Sequence, residues 1–512
     1  MMHNADAGYA AGLRRRGLIG AAGAGGLSLA LSTPPSLAQA PKTLNAAMTA
    51  DAVTLYPHLE TVVGVDIFPH LYDTLATMTA DGSVRPRLAQ RWETADNATW
   101  TFHLVQNATW TDGTPVTAED VAATFTHVAA DRTLPNNGYL RGFQGADVVG
   151  PHTVRIRLAA PDATFPRWTT LIFIIPARVS GRVAPEVFHA NPIGSGPYRL
   201  RSFRRDRVEL VARTDHRDGP PRITNLNFIS VPSEAARVAG LRSGELHVIG
   251  SFPPSELVGL RRNPAVQVVT QPMNRVVYLS HNINNGPTRD LRIRRAITLA
   301  IDPVAIAEQA LEGLGSPAGH NAAPPVFGHS RRQDLGPVAT DPNAARALLR
   351  DAGYAREEIV LTYPTNGLPQ APLVAEVVSG FLSAVGIRLR LEGLEWGTIV
   401  QRWRAKDFRH MLLFGFGPSI LDASLTLSSL YVSGSRGLYT PPEFDDLFRR
   451  QAAEVNEAAR LALFEQVWAA DRAQAIHTFL YNEFDAFAMR RGVTWTSRAD
   501  RRLYFWEADI TR

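Results

Sequence analysis

Arg85 to Phe125 reads RPRLAQRWETADNATWTFHLVQNATWTDGTPVTAEDVAATF. Within it Trp100, Phe102 and Leu104 alternate with polar residues, the period of two that a half-buried β-strand requires. Asp112-Gly113 marks a turn, and Thr117 with Asp120 gives a reciprocal helix start ahead of VAATF. The near-repeat NATW, at Asn97 and again at Asn107, reads as two similar strand edges. Strand, turn and helix follow one another within one window, as in a mixed α/β protein.

Downstream, the same grammar recurs. Asp302-Pro303 and Asp341-Pro342 each place a side-chain acceptor at an N-cap and proline at the first helical position, with Gly313 and Gly353 where those helices should stop. Leu291 to Ile301 puts Ile293, Ile297 and Ile301 on one helical face, with Arg292, Arg294 and Arg295 expected largely outside it. VLTYP (Val360 to Pro364), a helix from Leu373 to Val385 closed by Gly386, and the alternating IRLRLEGLEW (Ile387 to Trp396) make strand, helix, strand with covered faces. Pro441 to His477 is predicted helical, with Phe444, Leu447, Phe448, Leu461, Phe464, Val467 and Trp468 at three- and four-residue steps. LIFII (Leu171 to Ile175), ended by Pro176, has the length of a buried strand.

The chain has 512 residues, 45% hydrophobic and 20% charged, enough for about three structural units and a large core. It contains no cysteine, which removes disulfide frameworks, thiolate metal sites and cysteine nucleophiles. Lys42 and Lys406 are the two lysines, and the arginines are scattered in ones, twos and threes without a basic tract. A nucleic-acid partner is not indicated.

Arg14, Arg15 and Arg16 precede the uncharged run GLIGAAGAGGLSLAL, which ends at STPPSLAQAP. This is the pattern of a secretory signal, and RRGLI (Arg15 to Ile19) fits its twin-arginine form. Cleavage after Ala38 is expected, leaving a mature chain from Gln39. Its removal takes three positive charges and one negative, lowering the net charge from +5 to +3. No later segment has the length of a membrane span, so a soluble protein outside the cytoplasm is expected.

Catalytic constellations are missing from the sequence. There is no H-E-x-x-H, no G-x-x-x-x-G-K-[ST], and the histidines show no metal-ligand spacing. Ser195 in NPIGSGPYRL has Ile193 where a nucleophile elbow needs glycine. Asp445-Asp446 and Glu357-Glu358 read as solvated surface pairs. Binding without catalysis, and without cofactor or metal, is the expectation; an exported hydrolase using Ser195 or an acidic pair is the alternative class.

HLYDTLAT (His70 to Thr77), the Arg85 to Phe125 window, NPIGSGPYRL (Asn191 to Leu200), LRSGELHVI (Leu241 to Ile249), DLRIRRAITLAIDPVAI (Asp290 to Ile306) and GFLSAVGIRLRL (Gly380 to Leu391) fall in the order and spacing of a known family. The chain resembles the extracytoplasmic solute-binding proteins of ABC importers, family 5, which includes dipeptide, oligopeptide and nickel-type binders. The resemblance implies an α/β, two-lobed periplasmic-binding-protein fold with a hinge. Residues 1–38 would be the signal, 39–275 with 480–512 lobe I, an extra subdomain about 67–187, and 276–479 lobe II. It implies a monomer that captures a peptide or peptide-like ligand and delivers it to an inner-membrane permease. An oligosaccharide, an opine-like compound or a metal chelate is the alternative ligand.

The resemblance also places ligand-facing residues. The family's aromatic after a lobe II strand falls on Phe416 in LLFGFGPSILD, followed by Gly417. The position where peptide binders carry an amine-pairing Asp is Ser419, with Asp422 the nearest acid. Glu60, Val62, Tyr139, Trp396 and Tyr481 fall near the implied pocket, with core packing as the competing role of Trp396 and Tyr481. A carboxylate missing from position 419 leaves the usual α-amine anchor without its partner unless Asp422 reaches in.

Overall fold

The capping residues do what their chemistry suggests. Asp120 accepts the Thr117 N–H at 2.8 Å, opening the helix Ala118–Ala130. Asp302 accepts from Val304 and Ala305 at the head of Pro303–Gln309, and Asp341 from Asn343 and Ala344 at the head of Pro342–Asp351. Each satisfies N–H groups that a helix start leaves without partners. Gly313 and Gly353 follow at φ 82° and 66°, left-handed backbone that glycine adopts without strain. The alternating segment is the strand Thr99–Leu104, with Trp100, Phe102 and Leu104 buried.

The computed structural model describes residues 41–59, 64–140 and 142–511. The chain from Pro41 onward forms one compact unit, and the expected signal segment lies outside the described residues. An 11-stranded sheet is its spine. Two long strands, Val266–His281 and His477–Arg490, pair antiparallel through its middle. On one flank Met411–Phe416 joins Val266–His281 antiparallel, then Ile359–Pro364 and Leu389–Leu394 add in parallel, the helix Ala371–Ala384 making the crossover. On the other flank come Val248–Gly250, Thr43–Met48 and Asn225–Ser230, then the hairpin Tyr198–Arg204 and Arg207–Ala212. Gly315–Pro317 pairs with His477–Arg490 beside this path. Between Pro272/Phe484 and Val276/Asn482 the register of the long pair shifts, next to a proline that cannot donate to the ladder.

A separate antiparallel sheet, ordered Ala89–Thr94, Thr99–Leu104, Thr153–Leu158, Phe143–Gly150, has its own core. That core includes Phe102, Trp110, Phe125 and Phe165, all inside the segment 67–187. Another core gathers Leu44, Phe68, Tyr72 and Tyr198 with the returning Phe487 and Phe505. Ile293, Val374 and Leu413 centre one core of the segment 276–479, and Trp403, Phe414, Phe464 and Trp468 centre another.

Two local expectations are corrected. Arg294 is 5% exposed rather than outside, because its guanidinium donates to the carbonyls of Thr288, Arg289, Gln474 and Ala475 and so stays solvated by backbone. LIFII is buried but is not a ladder strand. It leaves a 3-10 turn at Leu171 and makes one isolated bridge, Thr74 to Phe173.

Candidate functional site

A cavity of about 570 Å³ opens between the segments 67–187 and 276–479. Tyr139, Asp162 and Trp168 line it from the first, and Ser419, Ser424 and Gln451 from the second. The Tyr139 and Trp168 rings stack at 5.8 Å and 27° and form an aromatic part of the wall. Asp162 is the acid of the lining. One of its oxygens accepts the Thr164 N–H at 2.8 Å and the Thr164 hydroxyl at 2.5 Å. Among the described residues no cation lies within ion-pair distance of it, and burial pushes its carboxyl up despite the Thr164 bonds.

Asp422 lies behind this wall and is fully buried. Arg460 grips it with two bonds of 2.7 Å, and Arg167 approaches at 3.4 Å. Burial alone would raise the Asp422 carboxyl, but Arg460 and Arg167 hold it below the usual carboxylate range. Arg167 also donates to the carbonyls of Gly82 and Ile420. The Ala163 N–H donates to Ala452 at 2.8 Å, and the Asn97 amide to Ala453 at 3.2 Å. These bonds tie the two segments together around the cavity.

Phe416 ends the strand Met411–Phe416 half-buried, 6.4 Å from the Trp403 ring. Trp396 stacks on Phe414 at 5.5 Å and 5°, and Trp403 on the same ring at 4.6 Å. Gly367 makes room for the Trp396 indole, since a Cβ there would stand 2.7 Å from its Cγ. Gly417 lets another strand pass: a Cβ would meet Asn274 Oδ1 at 2.8 Å, and the Asn274 amide bonds the Pro418 carbonyl. Tyr481 is 1% exposed within the core around Val374 and Leu413.

Beside the long strands lies a chain of charges. Arg275 meets Glu483 at 3.2 Å, and Arg501 meets Asp485 at 2.7 Å. Asp66 accepts the Leu503 N–H at 3.1 Å, and burial pushes its carboxyl up to about 7 against that bond and the pull of Arg502. Burial pushes the Tyr139 hydroxyl up, and Arg502 offsets part of that. Glu60 and Val62 lie outside the described residues.

Residues 83–437 match the bacterial extracellular solute-binding proteins, family 5. The chain belongs to this family. It is 26% identical over 424 residues to the dipeptide-binding protein of Escherichia coli K12, covering 75% of this chain and 78% of that one. It is also 26% identical over 464 residues to the nickel-binding periplasmic protein of the same organism, covering 84% and 87%. The solved structure of HbpA2 from Haemophilus parasuis superposes with a TM-score of 0.83 at 21% identity, over 92% of this chain and all of that one. The fold is the two-lobed α/β periplasmic-binding-protein fold, and the protein binds solutes rather than transforming them. Among the described residues no helix is long and apolar enough to cross a membrane, and no three His, Asp or Glu are placed to hold a metal.

In this solute-binding protein Tyr139 and Ser419, predicted from opposite segments, line one cavity. Trp396, Gly417 and Tyr481 instead pack against protein, and Asp422, the acid nearest Ser419, has both its oxygens bonded by Arg460. Ser195 is 1% exposed beneath glycines whose Cβ atoms would strike the carbonyls of Leu71 and His70, so it is a packing loop. The sequence reading missed Asp162 and Trp168. Pro161-Asp162 followed by Thr164 reads as a turn, and Asp162 makes that turn with one oxygen while the residue also lines the cavity.

Proposed function

We propose that the protein captures a peptide or peptide-like ligand between lobe I (39–275 with 480–512, the extra subdomain at 67–187) and lobe II (276–479), and delivers it to an inner-membrane ABC permease. What carries this reading is the cavity itself, to which both lobes contribute: aromatic Tyr139 and Trp168 from one, serine hydroxyls from the other. A ligand that touches both lobes favours the closed state by its differential contacts. Asp162 takes the ammonium role that Ser419 cannot fill. An ammonium would compensate a carboxylate that burial now disfavours and would donate to its unused lone pairs.

Titration calorimetry tests this with di- and tripeptides and their N-acetylated forms. Free-amine peptides should bind at least tenfold more tightly; equal affinity would remove the amine-anchor assignment. The serines of the lobe II wall also suit a polyhydroxyl ligand, so an oligosaccharide series forms the second arm. We further propose export by the twin-arginine route with cleavage after Ala38, and a periplasmic monomer. Arg15→Lys with Arg16→Lys should trap the precursor in the cytoplasm.

A further inference from the structure

A second cavity, of about 320 Å³, lies away from the lobe interface, between the helix Leu291–Ala300, the loop that carries Gly319 and Val338, and the strand His477–Arg490. Leu299, Leu348 and Phe479 line it, each only partly buried, together with Val338. At this size it stands at the lower end of small-molecule pockets, and such an apolar lining left open to water is a site that an apolar ligand would cover.

Two arginines, Arg295 and Arg472, are among its lining residues. Arg295 donates to the Ala473 carbonyl, and Arg472 to the carbonyls of Asp334 and Gly336. These bonds hold the groups in place without neutralising them. Among the described residues neither arginine has a carboxylate within ion-pair distance. The nearby acids are engaged elsewhere: Asp471 accepts from Tyr431 and from the backbone N–H of His477, and Asp334 is bound by Arg332. An apolar chamber with two fixed cations that lack a direct ion pair matches a ligand with an apolar body and one anionic end.

We infer that this cavity binds a small apolar monocarboxylate of medium chain length, independently of the ligand held between the lobes. The apolar chain fills the space between Leu299, Leu348, Val338 and Phe479, and the carboxylate meets Arg295 and Arg472.

Calorimetric titration of the mature protein with octanoate, and with 1-octanol as the uncharged control, tests the assignment. Octanoate should bind saturably at one site, with 1-octanol at least tenfold weaker. Arg295→Gln should weaken octanoate at least fivefold, Leu299→Trp should abolish its binding by filling the chamber, and Tyr139→Ala should leave it unchanged. Val338→Trp serves as a second filling variant if Leu299→Trp does not fold. Equal binding of 1-octanol, wild-type affinity in both the Arg295→Gln and a folded filling variant, loss of binding in Tyr139→Ala, or no saturable binding would each overturn the inference. None of these outcomes bears on the peptide reading, which concerns other residues.

Discussion

Two aromatic regions of the same protein differ in what faces them. Trp396 and Trp403 each stack on Phe414, at 5.5 and 4.6 Å, with Phe414 and Trp403 buried in the core and Trp396 packed against it. Tyr139 and Trp168 stack on each other and leave their outer surface to a cavity of about 570 Å³. Aromatic residues at family-like positions therefore do two jobs here, and neighbouring polar groups tell them apart. The filled stack is closed off by glycines, Gly367 beneath Trp396 and Gly417 against Asn274. The open pair is bordered by an unpaired acid, three serines and Gln451.

Truncation should separate the two regions most widely. Trp403→Ala should cost about 3–5 kcal/mol of stability, the usual penalty for emptying a large aromatic site in a core, as read by chemical denaturation. Tyr139→Ala should cost under about 1 kcal/mol, as expected outside tightly packed or paired features, while lowering ligand affinity at least tenfold. Equal stability losses would erase the distinction between filled and open aromatics.

The two carboxylates near the cavity sharpen it next. Asp422→Asn leaves Arg460 and Arg167 buried with their counter-charge gone, and should destabilise by about 3–5 kcal/mol, with ligand loss only as a consequence. A binding defect in Asp422→Asn without a stability defect would return Asp422 to the ligand.

A smaller effect follows from five buried histidines. Burial pushes His58, His216 and His320 down to about 4, and His70 and His281 to about 3. Their folded pKa values lie below the unfolded value, so the unfolded chain binds more protons as pH falls below about 6.5. Denaturation midpoints should therefore fall steadily from pH 7 to pH 4. Asp66 works in the opposite sense: its carboxyl is raised to about 7, so it adds stability at low pH that is lost as pH rises through 7. A midpoint that holds constant between pH 7 and pH 4.5 would contradict the burial of the histidines.

Much of the fold was legible because local chemistry and tertiary context agree. The caps at Thr117, Asp302 and Asp341, the alternation at Trp100 to Leu104 and the strand–helix–strand unit from Val360 to Leu394 all form as their patterns suggest. The family pattern extended this to the two-lobed architecture. The site was less legible, for physical reasons. Whether Trp396 or Tyr139 meets solvent depends on what packs across from it, and local sequence does not encode that. Asp422 looked available as the acid nearest Ser419, yet its partner Arg460 comes from a helix far along the chain. Asp162 was hidden because one residue serves both a turn and a cavity.

The central claim is that Asp162, not Asp422, meets the charged end of the ligand. The most direct measurement is the affinity of Asp162→Asn for a free-amine dipeptide and for its N-acetylated form, by calorimetry. Loss of at least tenfold for the free amine, little change for the acetylated form and unchanged apo stability are predicted. Equal weakening of both peptides, or wild-type affinity for the free amine, would contradict the account.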